Sequence, residues 1–473
     1  MCAIFGIIAK KSDPQLVDRF VMGLSRLQRR GQESAGVAYS NGKRVLTYKE
    51  YGLIPQVFTP DVLNEIKGRD PIMIMGQTHY STSGNRSRRN IPPQWVDTLR
   101  GRFSLIHNGN IPNLGEKKEI LKQQAGGEIR FDDDDGEIMN DTEFMLRKIL
   151  WLNSPSKGRG TISDSIQEFM ATTNGSYSAV LMNSDGVYVF RDPWGNRPLF
   201  IAEDKGVFYI ASETCAFGIL EQSTPTTVTP GEIITIGIDG TINRKLSKNT
   251  PEYSAHCVFE NIYFARPDSR TFNPGPEKEF RFKLGQKLAI NAPVTNADLV
   301  TYMPDSGLSA AEGYACQLHL PNISVYVKDS YVHRTFIHPD KLERERLAKI
   351  KYSLIPGSVK DKIIVLIDDS IVRGTTLEKR VRELFSKGRA KEVHVRISAP
   401  PVISPCYYGI NIPIKNELIA AQLNPEQIRQ ELSATSLAYL PMDFLHETIS
   451  ESGSDPRNFC DACFSGNYRI PLT

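Results

Sequence analysis

The stretch KIIVLIDDSIVRGTTLEKRVRELF, residues 362–385, carries the most specific pattern in this sequence. An apolar run ends in Asp368 and Asp369, a short loop follows, and a helical pattern begins directly after the loop. This order is typical of a buried strand in a parallel sheet followed by its crossover helix. Because ligands of open α/β sheets lie beyond the carboxyl ends of the strands, the stretch predicts a binding site at this loop.

The loop SIVRGTT has the chemistry of a phosphate site. Backbone amides at the start of the helix, with the hydroxyls of Ser370, Thr375 and Thr376, would hold a phosphate dianion. Gly374 lets the backbone come close to the ligand. The paired carboxylates suit ribose hydroxyls or a Mg²⁺ ion attached to a pyrophosphate. The plainer alternative is an acidic turn with a helix cap, and a Walker A loop is excluded because no Gly-Lys-Ser/Thr is present.

The two halves of the sequence around this motif have different patterns. In the first half, short apolar runs joined by the hairpin turns NSDG and GIDG predict antiparallel sheet with helices packed on it. In the second half, ADLVTYMPD, KIIVLIDD and EVHVRISAP alternate with helical patterns, which indicates a parallel sheet with crossover helices. The polar stretch 243–256 is the linker candidate, so we predict domains at 1–245 and 246–473.

The chain opens MCAIFGIIAK, with a cysteine at position 2. Its side chain is small enough for the initiator methionine to be removed, which would leave Cys2 as the N-terminal residue. Its own α-amine, with an ordinary pKa of about 8, would then serve as the base for the thiol. The segment HNGNIPN supplies oxyanion donors in the Asn108 side chain and the Gly109 amide. On its own, a cysteine near a terminus is more often incidental.

Longer stretches of the sequence resemble known families. Residues 362–385 resemble the phosphoribosyl pyrophosphate motif of type I phosphoribosyltransferases. Cys2 and the segments RRGQESAG, HYSTSG, HNGN, DTE, RDPWGNRPL and ASETCAF together resemble the class II glutamine amidotransferases. With FENIYFARPDS and VRISAPPVISPCYYGI, the whole chain resembles the glutamine phosphoribosylpyrophosphate amidotransferases. This implies an α+β N-terminal-nucleophile (αββα) glutaminase domain followed by an α/β type I phosphoribosyltransferase domain.

The resemblance also implies roles for single residues of the glutaminase domain. Cys2 matches the nucleophile, and Asn108 and Gly109 match the oxyanion hole. Arg30 belongs to the loop that shapes the surroundings of the nucleophile, and Asp141 receives the α-amine of glutamine. The predicted glutamine-binding residues are Arg30, His79 and Asp141.

In the transferase domain the resemblance implies a site for phosphoribosyl pyrophosphate and Mg²⁺. Ser306, Asp368 and Asp369 match the metal side of the site. Part of the site is a mobile loop that closes over the pyrophosphate. The predicted ligand-binding residues are Lys328, Tyr331, Arg334, Asp368, Asp369, Ser370, Arg373, Gly374, Thr375 and Thr376.

Seven cysteines, an odd number, argue for catalytic or metal-binding thiols rather than for a disulfide framework. Cys460 and Cys463 form a Cys-x-x-Cys pair that Cys257 and Cys406 could complete to a four-thiolate site. By ligand count this site suits zinc or a cubane iron-sulfur cluster equally, and structural thiols are the plainer alternative. The resemblance to the iron-sulfur branch of the family implies a [4Fe-4S] cluster on these four residues.

Both predicted sites depart from the pattern of the family. The family has an arginine in place of His79, and histidine lacks the fixed charge and the fork with which arginine grips the α-carboxylate of glutamine. Arg29 stands where the family has a histidine and offers a compensating guanidinium. In the mobile loop one arginine is lost and a glycine hinge has become His333, so that the loop has less positive charge and less backbone freedom.

Composition and resemblance together bound the function. The net charge of +3 gives no argument for nucleic acid or membranes, and without an apolar span or a secretory signal we expect a cytoplasmic protein. The resemblance implies glutamine and phosphoribosyl pyrophosphate as substrates, purine nucleotides as inhibitors and a homo-oligomer, a tetramer or dimer. The expected product is 5-phosphoribosylamine, made in the first step of de novo purine synthesis. The alternatives are a paralogue that aminates a different phosphorylated acceptor and a ligand-binding pseudoenzyme.

Overall fold

The computed structural model describes residues 2–80, 87–131, 140–158, 160–220, 224–329 and 352–472. The chain divides into two compact units. The first consists of Met1–His256 with Tyr407–Asn411 and Tyr468–Thr473, and the second of Cys257–Cys406 with Ile412–Asn467. None of the helices in the described ranges is long and apolar enough to cross a membrane.

The first unit is built on two antiparallel sheets. Its strands are, in chain order, β1 (Ala3–Ile8), β2 (Ser34–Ser40), β3 (Val45–Tyr51), β4 (Met73–His79), β5 (Gln94–Thr98), β6 (Gly101–Asn110), β7 (Ser176–Asn183), β8 (Gly186–Arg191), β9 (Phe200–Asp204), β10 (Val207–Ala211), β11 (Thr226–Thr227), β12 (Glu232–Gly237) and β13 (Ile242–Leu246). The first sheet has the order β11-β9-β10-β1-β4-β2-β3 and the second β13-β12-β8-β7-β6-β5.

Alternation of apolar side chains explains why the two sheets stack. In β1, Ile4 and Ile8 point into a core shared with residues of the second sheet, whereas Phe5 and Ile7 point into a core on the opposite face. Successive side chains of a strand face opposite sides, so a strand that is apolar throughout must be covered on both faces. The central strands of the second sheet, β6, β7, β8 and β12, are covered on both faces in the same way, whereas the edge strand β13 is mostly exposed.

Helices cover the outer face of each sheet. The first sheet packs against α1 (Leu16–Ser25), α2 (Ile54–Val57) and α3 (Pro60–Lys67). The second packs against α4 (Leu114–Gln124), α5 (Asp141–Leu152) and α6 (Ile162–Thr172). The predicted αββα arrangement of the first domain is therefore confirmed.

The second unit contains a parallel sheet. The strands that lead into it and build it are β14 (His256–Cys257), β15 (Leu299–Tyr302), β16 (Tyr326–Lys328), β17 (Tyr352–Leu354), β18 (Ile363–Asp368), β19 (Glu392–Ile397), β20 (Ser436–Tyr439) and β21 (Phe459–Cys460). The parallel order is β15-β18-β19-β20, and β16 with β17 and β14 with β21 form two short ribbons. The predicted α/β transferase fold is confirmed.

The helices described in this unit are α7 (Glu277–Asn291), α8 (Leu308–Leu318), α9 (Thr375–Ser386), α10 (Pro425–Leu432), α11 (Met442–Glu451) and α12 (Ala462–Ser465), with a π-helical turn at Glu260–Phe264. Of these, α8, α9 and α10 lie in the connections between successive strands of the parallel sheet. Apolar residues of α9 and α10 share a core with β15, β18 and β19. This core fixes the carboxyl end of β18 and the loop that follows it.

The two units divide after His256, whereas the sequence placed the boundary after residue 245. The intervening segment packs on the first unit through backbone hydrogen bonds. Ser247 N donates to Gly231 O at 2.8 Å, and Ala255 N donates to Trp194 O at 2.8 Å. A polar sequence resembles a linker, but its main chain is used here to complete the first unit.

Candidate functional site

Cys2 lies at the start of β1, beside the end of β6. Its backbone nitrogen donates to Asn108 Oδ1 at 3.4 Å. Asn108 is buried, and its Nδ2 has no hydrogen-bond partner among the residues that the structure describes. Buried polar groups are normally satisfied, so this amide is a donor held ready for a group that is not part of the chain. The hydrogen bond from Cys2 N to Oδ1 fixes the orientation of the Asn108 side chain. Its Nδ2 points away from this bond and is the atom without a described partner.

Gly109 follows Asn108 in β6 and approaches the neighbouring strand closely. A Cβ added at Gly109 would lie 1.8 Å from the carbonyl oxygen of Ser176 in β7. Only glycine fits here. The predicted nucleophile and both predicted oxyanion donors thus lie together in the first unit.

Arg30 holds the main chain of the nucleophile. Its Nε donates to Cys2 O at 3.0 Å, and its Nη1 donates to Glu213 Oε1 at 2.6 Å. Both charged side chains are almost fully buried. Cys215 Sγ donates to Glu213 Oε2 at 3.7 Å. The sequence predicted Arg30 as a glutamine-binding residue. In the structure its guanidinium binds the backbone of Cys2 and the carboxylate of Glu213.

Glu213 was missed as a functional residue by the sequence reasoning. The signal for it was present, because it lies in the segment ASETCAF, which was used only as a mark of family resemblance. What the sequence did not show is its partner, since Arg30 and Glu213 are 183 positions apart.

Asp141 is the first residue of α5, where a carboxylate is favoured by the helix dipole. Its Oδ2 lies 3.3 Å from His107 Nε2, and His107 Nδ1 is 2.8 Å from Thr142 Oγ1. Burial acts to raise the pKa of Asp141, but the charge of His107 and the backbone amides of Ile111 and Thr142 outweigh it and lower the pKa below its usual value. The carboxylate therefore remains anionic and suits an ammonium group.

His79 ends β4, the strand paired with β1. Thr78 is the partner of Ala3 in this pairing, which brings His79 to the edge where Cys2 lies. Burial lowers the pKa of His79 to about 4, against an opposing effect of Glu33. Its Nδ1 is 3.4 Å from Ser34 Oγ. At neutral pH the predicted glutamine-binding position thus carries an uncharged imidazole.

The second unit presents the predicted phosphate loop at the end of β18. The loop begins after Asp368, and α9 starts at Thr375 directly after Gly374, whose φ of +79° requires the left-handed region. Thr375 and Thr376 occupy the first turn of α9 and Ser370 opens the loop. Helix N-termini bind anions through their free amides.

Two carboxylates and a serine meet beside this loop. Ser306 Oγ donates to Asp368 Oδ1 at 3.5 Å, and Asp369 N donates to the same oxygen at 2.9 Å. Ser370 Oγ donates to Asp369 Oδ2 at 2.6 Å. Burial, with the neighbouring charge of Asp369, raises the pKa of Asp368 well above its usual range. Adjacent carboxylates that repel each other in this way suit a hard cation.

Arg373 and Lys328, two of the predicted ligand-binding residues, each pair with a carboxylate. Arg373 donates through Nε and Nη2 to Glu417 Oε2 at 2.8 and 2.6 Å. Lys328 forms an ion pair with Asp305. The sequence did not predict these acidic partners. Tyr331 and Arg334 lie outside the described residues, as does His333.

Four cysteines come together in the second unit. Cys257 and Cys460 lie on the paired strands β14 and β21, and Cys463 lies on α12. Ile403 N and Ser404 N donate to Cys463 O at 2.9 and 3.1 Å, which holds the segment that leads to Cys406.

The thiols of these four cysteines affect one another. Burial raises the pKa of Cys460 and Cys463, and the neighbouring Cys257 and Cys406 raise it further. Within the described ranges, no three His, Cys, Asp or Glu side chains are arranged to hold a single metal ion. The ligand count of four thiolates leaves both a zinc ion and a cubane iron-sulfur cluster open.

Comparison with known proteins agrees with the fold. Residues 92–218, which include the predicted oxyanion donors Asn108 and Gly109, match the family model of the glutamine amidotransferase domain. The chain is 38% identical to the amidophosphoribosyltransferase of Synechocystis sp., over 100% of this chain and 91% of that protein. It is 36% identical to that of Bacillus subtilis, over 99% and 94%.

Solved structures give the same result. The glutamine phosphoribosylpyrophosphate amidotransferase from B. subtilis complexed with ADP and GMP has a TM-score of 0.85 at 35% identity, covering 100% of this chain and 98% of that one. The chain belongs to the amidophosphoribosyltransferase family. It is a phosphoribosyltransferase with glutamine amidotransferase activity, which confirms the predicted family, fold and type of enzyme.

Proposed function

We propose that this chain forms 5-phosphoribosylamine, pyrophosphate and glutamate from phosphoribosyl pyrophosphate and glutamine, in the first step of de novo purine synthesis. The observation that best supports the glutaminase reaction concerns the side chain of Asn108. Its Oδ1 accepts a hydrogen bond from Cys2 N, and its buried Nδ2 has no partner among the described residues. Removal of Met1 turns the nitrogen of Cys2 into an α-amine.

In the glutaminase reaction the α-amine of Cys2 takes the proton of its own thiol. The thiolate attacks the carboxamide carbon of glutamine, and the resulting oxyanion accepts hydrogen bonds from Asn108 Nδ2 and the Gly109 amide. The proton then passes to the leaving nitrogen, ammonia departs and a glutamyl thioester remains. Water hydrolyses the thioester to glutamate and regenerates the thiol.

Asp141 and His79 take the two ends of the amino acid. The anionic Asp141 binds the α-ammonium group. His79, which is uncharged at neutral pH, gives the α-carboxylate one neutral hydrogen bond in place of a charged fork. We therefore propose weaker glutamine binding than an arginine would provide at this position.

In the transferase reaction ammonia attacks C1 of the phosphoribosyl donor and pyrophosphate leaves. The amides at the start of α9, with Ser370, Thr375 and Thr376, hold the phosphate. Asp368 and Asp369 hold the ribose hydroxyls or, with Ser306, a Mg²⁺ ion, which when bound neutralises charge on the leaving pyrophosphate. Lys328 and Arg373 exchange their carboxylate partners for the ligand. Tyr331 and Arg334 complete the proposed set.

We propose a [4Fe-4S] cluster on Cys257, Cys406, Cys460 and Cys463. The grouped thiols support a four-thiolate metal site, and the resemblance to the iron-sulfur branch of the family favours the cluster over zinc. When bound, the cluster would cross-link segments of the second unit, and its iron would hold as thiolates the side chains of Cys460 and Cys463, whose pKa burial raises.

The B. subtilis structure is a complex with ADP and GMP, so we propose purine nucleotides as inhibitors of this chain. The homo-oligomer, a tetramer or dimer, that the family resemblance implies stays a prediction. We also propose a reducing compartment such as the cytoplasm, which suits a chain whose cysteines are proposed as a nucleophile and as metal ligands.

One coupled assay tests the proposed function. Glutamate release by the purified enzyme is measured with and without phosphoribosyl pyrophosphate, together with pyrophosphate release. Stimulation of glutamate release, with one pyrophosphate per glutamate, is the expected result. Glutaminase activity without stimulation contradicts the proposed acceptor, and absence of both activities contradicts the function as a whole.

A further inference from the structure

Residues 407–411 support the strand that carries the oxyanion donors. They belong to the first unit by their contacts, although the chain on both sides of them belongs to the second. Asn110 Nδ2, at the end of β6, donates to Tyr407 O at 2.8 Å across 297 positions of sequence. We call residues 407–411 the supporting segment.

The supporting segment is itself firmly held. Arg197 Nε donates to Tyr408 O at 3.1 Å, and Arg197 is fully buried. Tyr408 OH donates to Ile470 O at 2.6 Å. Asn411 Nδ2 donates to Tyr80 OH at 3.5 Å, next to His79. A segment bonded at three of its five positions is not free to follow local changes in its neighbours.

The centre of the segment lies against the carbonyl group of Gly109, the residue whose amide is a predicted oxyanion donor. A Cβ added at Gly409 would lie 2.8 Å from the carbonyl oxygen of Gly109 and 2.9 Å from its carbonyl carbon. On another side, a Cβ added at Gly109 would meet Ser176 O at 1.8 Å. The peptide of Gly109 is therefore enclosed by β7 and by Gly409, with no room for a side chain at either glycine.

We propose that Gly409 is a positioning residue for the glutaminase reaction: it holds the carbonyl group of Gly109 in place and, through that residue, the Gly109 amide at the position where the oxyanion forms. The inference rests on the proposed function, because it assumes that Gly109 is an oxyanion donor. Donors of this kind stabilise the transition state only when they are already in place. A shift of the Gly109 peptide therefore lowers the rate of amide cleavage without changing how the substrate is bound.

The test is Gly409→Ala in the full-length enzyme. We expect kcat for glutamine hydrolysis to fall by about 10- to 100-fold, with KM for glutamine little changed. Ammonia-dependent synthesis of phosphoribosylamine, which does not use Cys2, stays near the wild-type rate. Alkylation of Cys2 by iodoacetamide also keeps its rate, because the thiol and its base are untouched.

Gly206→Ala is the matched control. Gly206 has a φ of +78° and an added Cβ there meets nothing within 4 Å, so this variant has the backbone strain of Gly409→Ala without its contact. A second variant, Asn110→Ala, removes the bond to Tyr407 O and is expected to lower kcat for glutamine in the same selective way.

Three results would count against the inference. Wild-type glutaminase activity in Gly409→Ala would show that the contact sets nothing. Equal loss of the glutamine- and ammonia-dependent reactions would show that Gly409 serves only the fold. A wild-type enzyme that makes phosphoribosylamine from ammonia but never cleaves glutamine would overturn the proposed function, and this inference with it.

Discussion

The buried carboxylate of Glu213 forms an ion pair with Arg30, whose guanidinium also donates a hydrogen bond to Cys2 O. A change of this single residue should therefore affect the surroundings of Cys2. In Glu213→Gln the shape is kept and the charge is lost. Removing one partner of a buried pair leaves the other charge uncompensated, which costs about 3 kcal/mol. We expect a lower melting temperature and a loss of glutaminase activity of more than about tenfold, because Arg30 no longer fixes the nucleophile.

Melting curves and glutamate release measure these two effects. Glu203→Gln, on an exposed position of β9, is the control and should change neither. A Glu213→Gln enzyme that is fully active in glutamine hydrolysis would contradict the role given to the pair.

His79 gives a second prediction at this scale. His79→Arg introduces a fixed charge where burial now keeps the imidazole neutral. A charge-assisted contact to the α-carboxylate is stronger than a neutral one by about 1–2 kcal/mol, so KM for glutamine should fall by about tenfold. Steady-state kinetics at pH 7 test this, with the exposed His319→Arg as control. An unchanged or higher KM would contradict the proposed weak binding.

The sequence predicted the identity of these residues better than their partners. Cys2, Asn108 and Gly109 were recognised because their residue types suit the chemistry. The pairing of Arg30 with Glu213 was not recognised, because the two residues are 183 positions apart and meet only through the tertiary packing of the chain. The neutral state of His79 likewise follows from burial, which a sequence does not give.

At the scale of elements, the ion pair of Arg373 and Glu417 joins the phosphate loop to a neighbouring segment. Ile419 N donates to Val372 O at 3.0 Å in the same place, so the two segments meet. If Arg373 binds the pyrophosphate, as we propose, the ligand competes with Glu417 for the guanidinium. Because both side chains are nearly half exposed, the pair contributes about 1 kcal/mol or less.

Glu417→Gln should therefore lower KM for phosphoribosyl pyrophosphate by up to about fivefold. The difference from the wild type should shrink at high ionic strength, since salt screens exposed charges. Glu426→Gln is the control, because Glu426 pairs with Arg429 within α10. A raised KM in Glu417→Gln would contradict competition between the carboxylate and the ligand.

The strand, loop and helix at residues 362–385 were predicted nearly as they stand, because an apolar run and a helical period are local properties. β18 ends at Asp368 and α9 begins at Thr375. The ribbon of β14 and β21 was beyond prediction. Each of its strands has two residues, and only their distant partners make them strands.

At the scale of the whole molecule, the sequence indicated two domains. It did not indicate that segments from the second half of the chain belong to the first unit. The segments 407–411 and 468–473 belong to the first unit although they lie far beyond residue 256. Composition and periodicity describe what a segment becomes locally. They do not say which sheet its main chain will complete, as the stretch 247–256 also shows.

The proposed cluster on the four cysteines would cross-link segments of the second unit that lie about 200 positions apart, so it should matter to the stability of the unit as a whole. Cys460→Ser should remove most of the iron, expected at about four atoms per chain in the wild type, and lower the melting temperature, because two strands and a loop lose their common anchor. Elemental analysis and calorimetry on anaerobically purified enzyme measure both. Cys316→Ser, at an exposed thiol, is the control and should keep the iron. Zinc in place of iron in the wild type, or full iron content in Cys460→Ser, would contradict the proposed cluster.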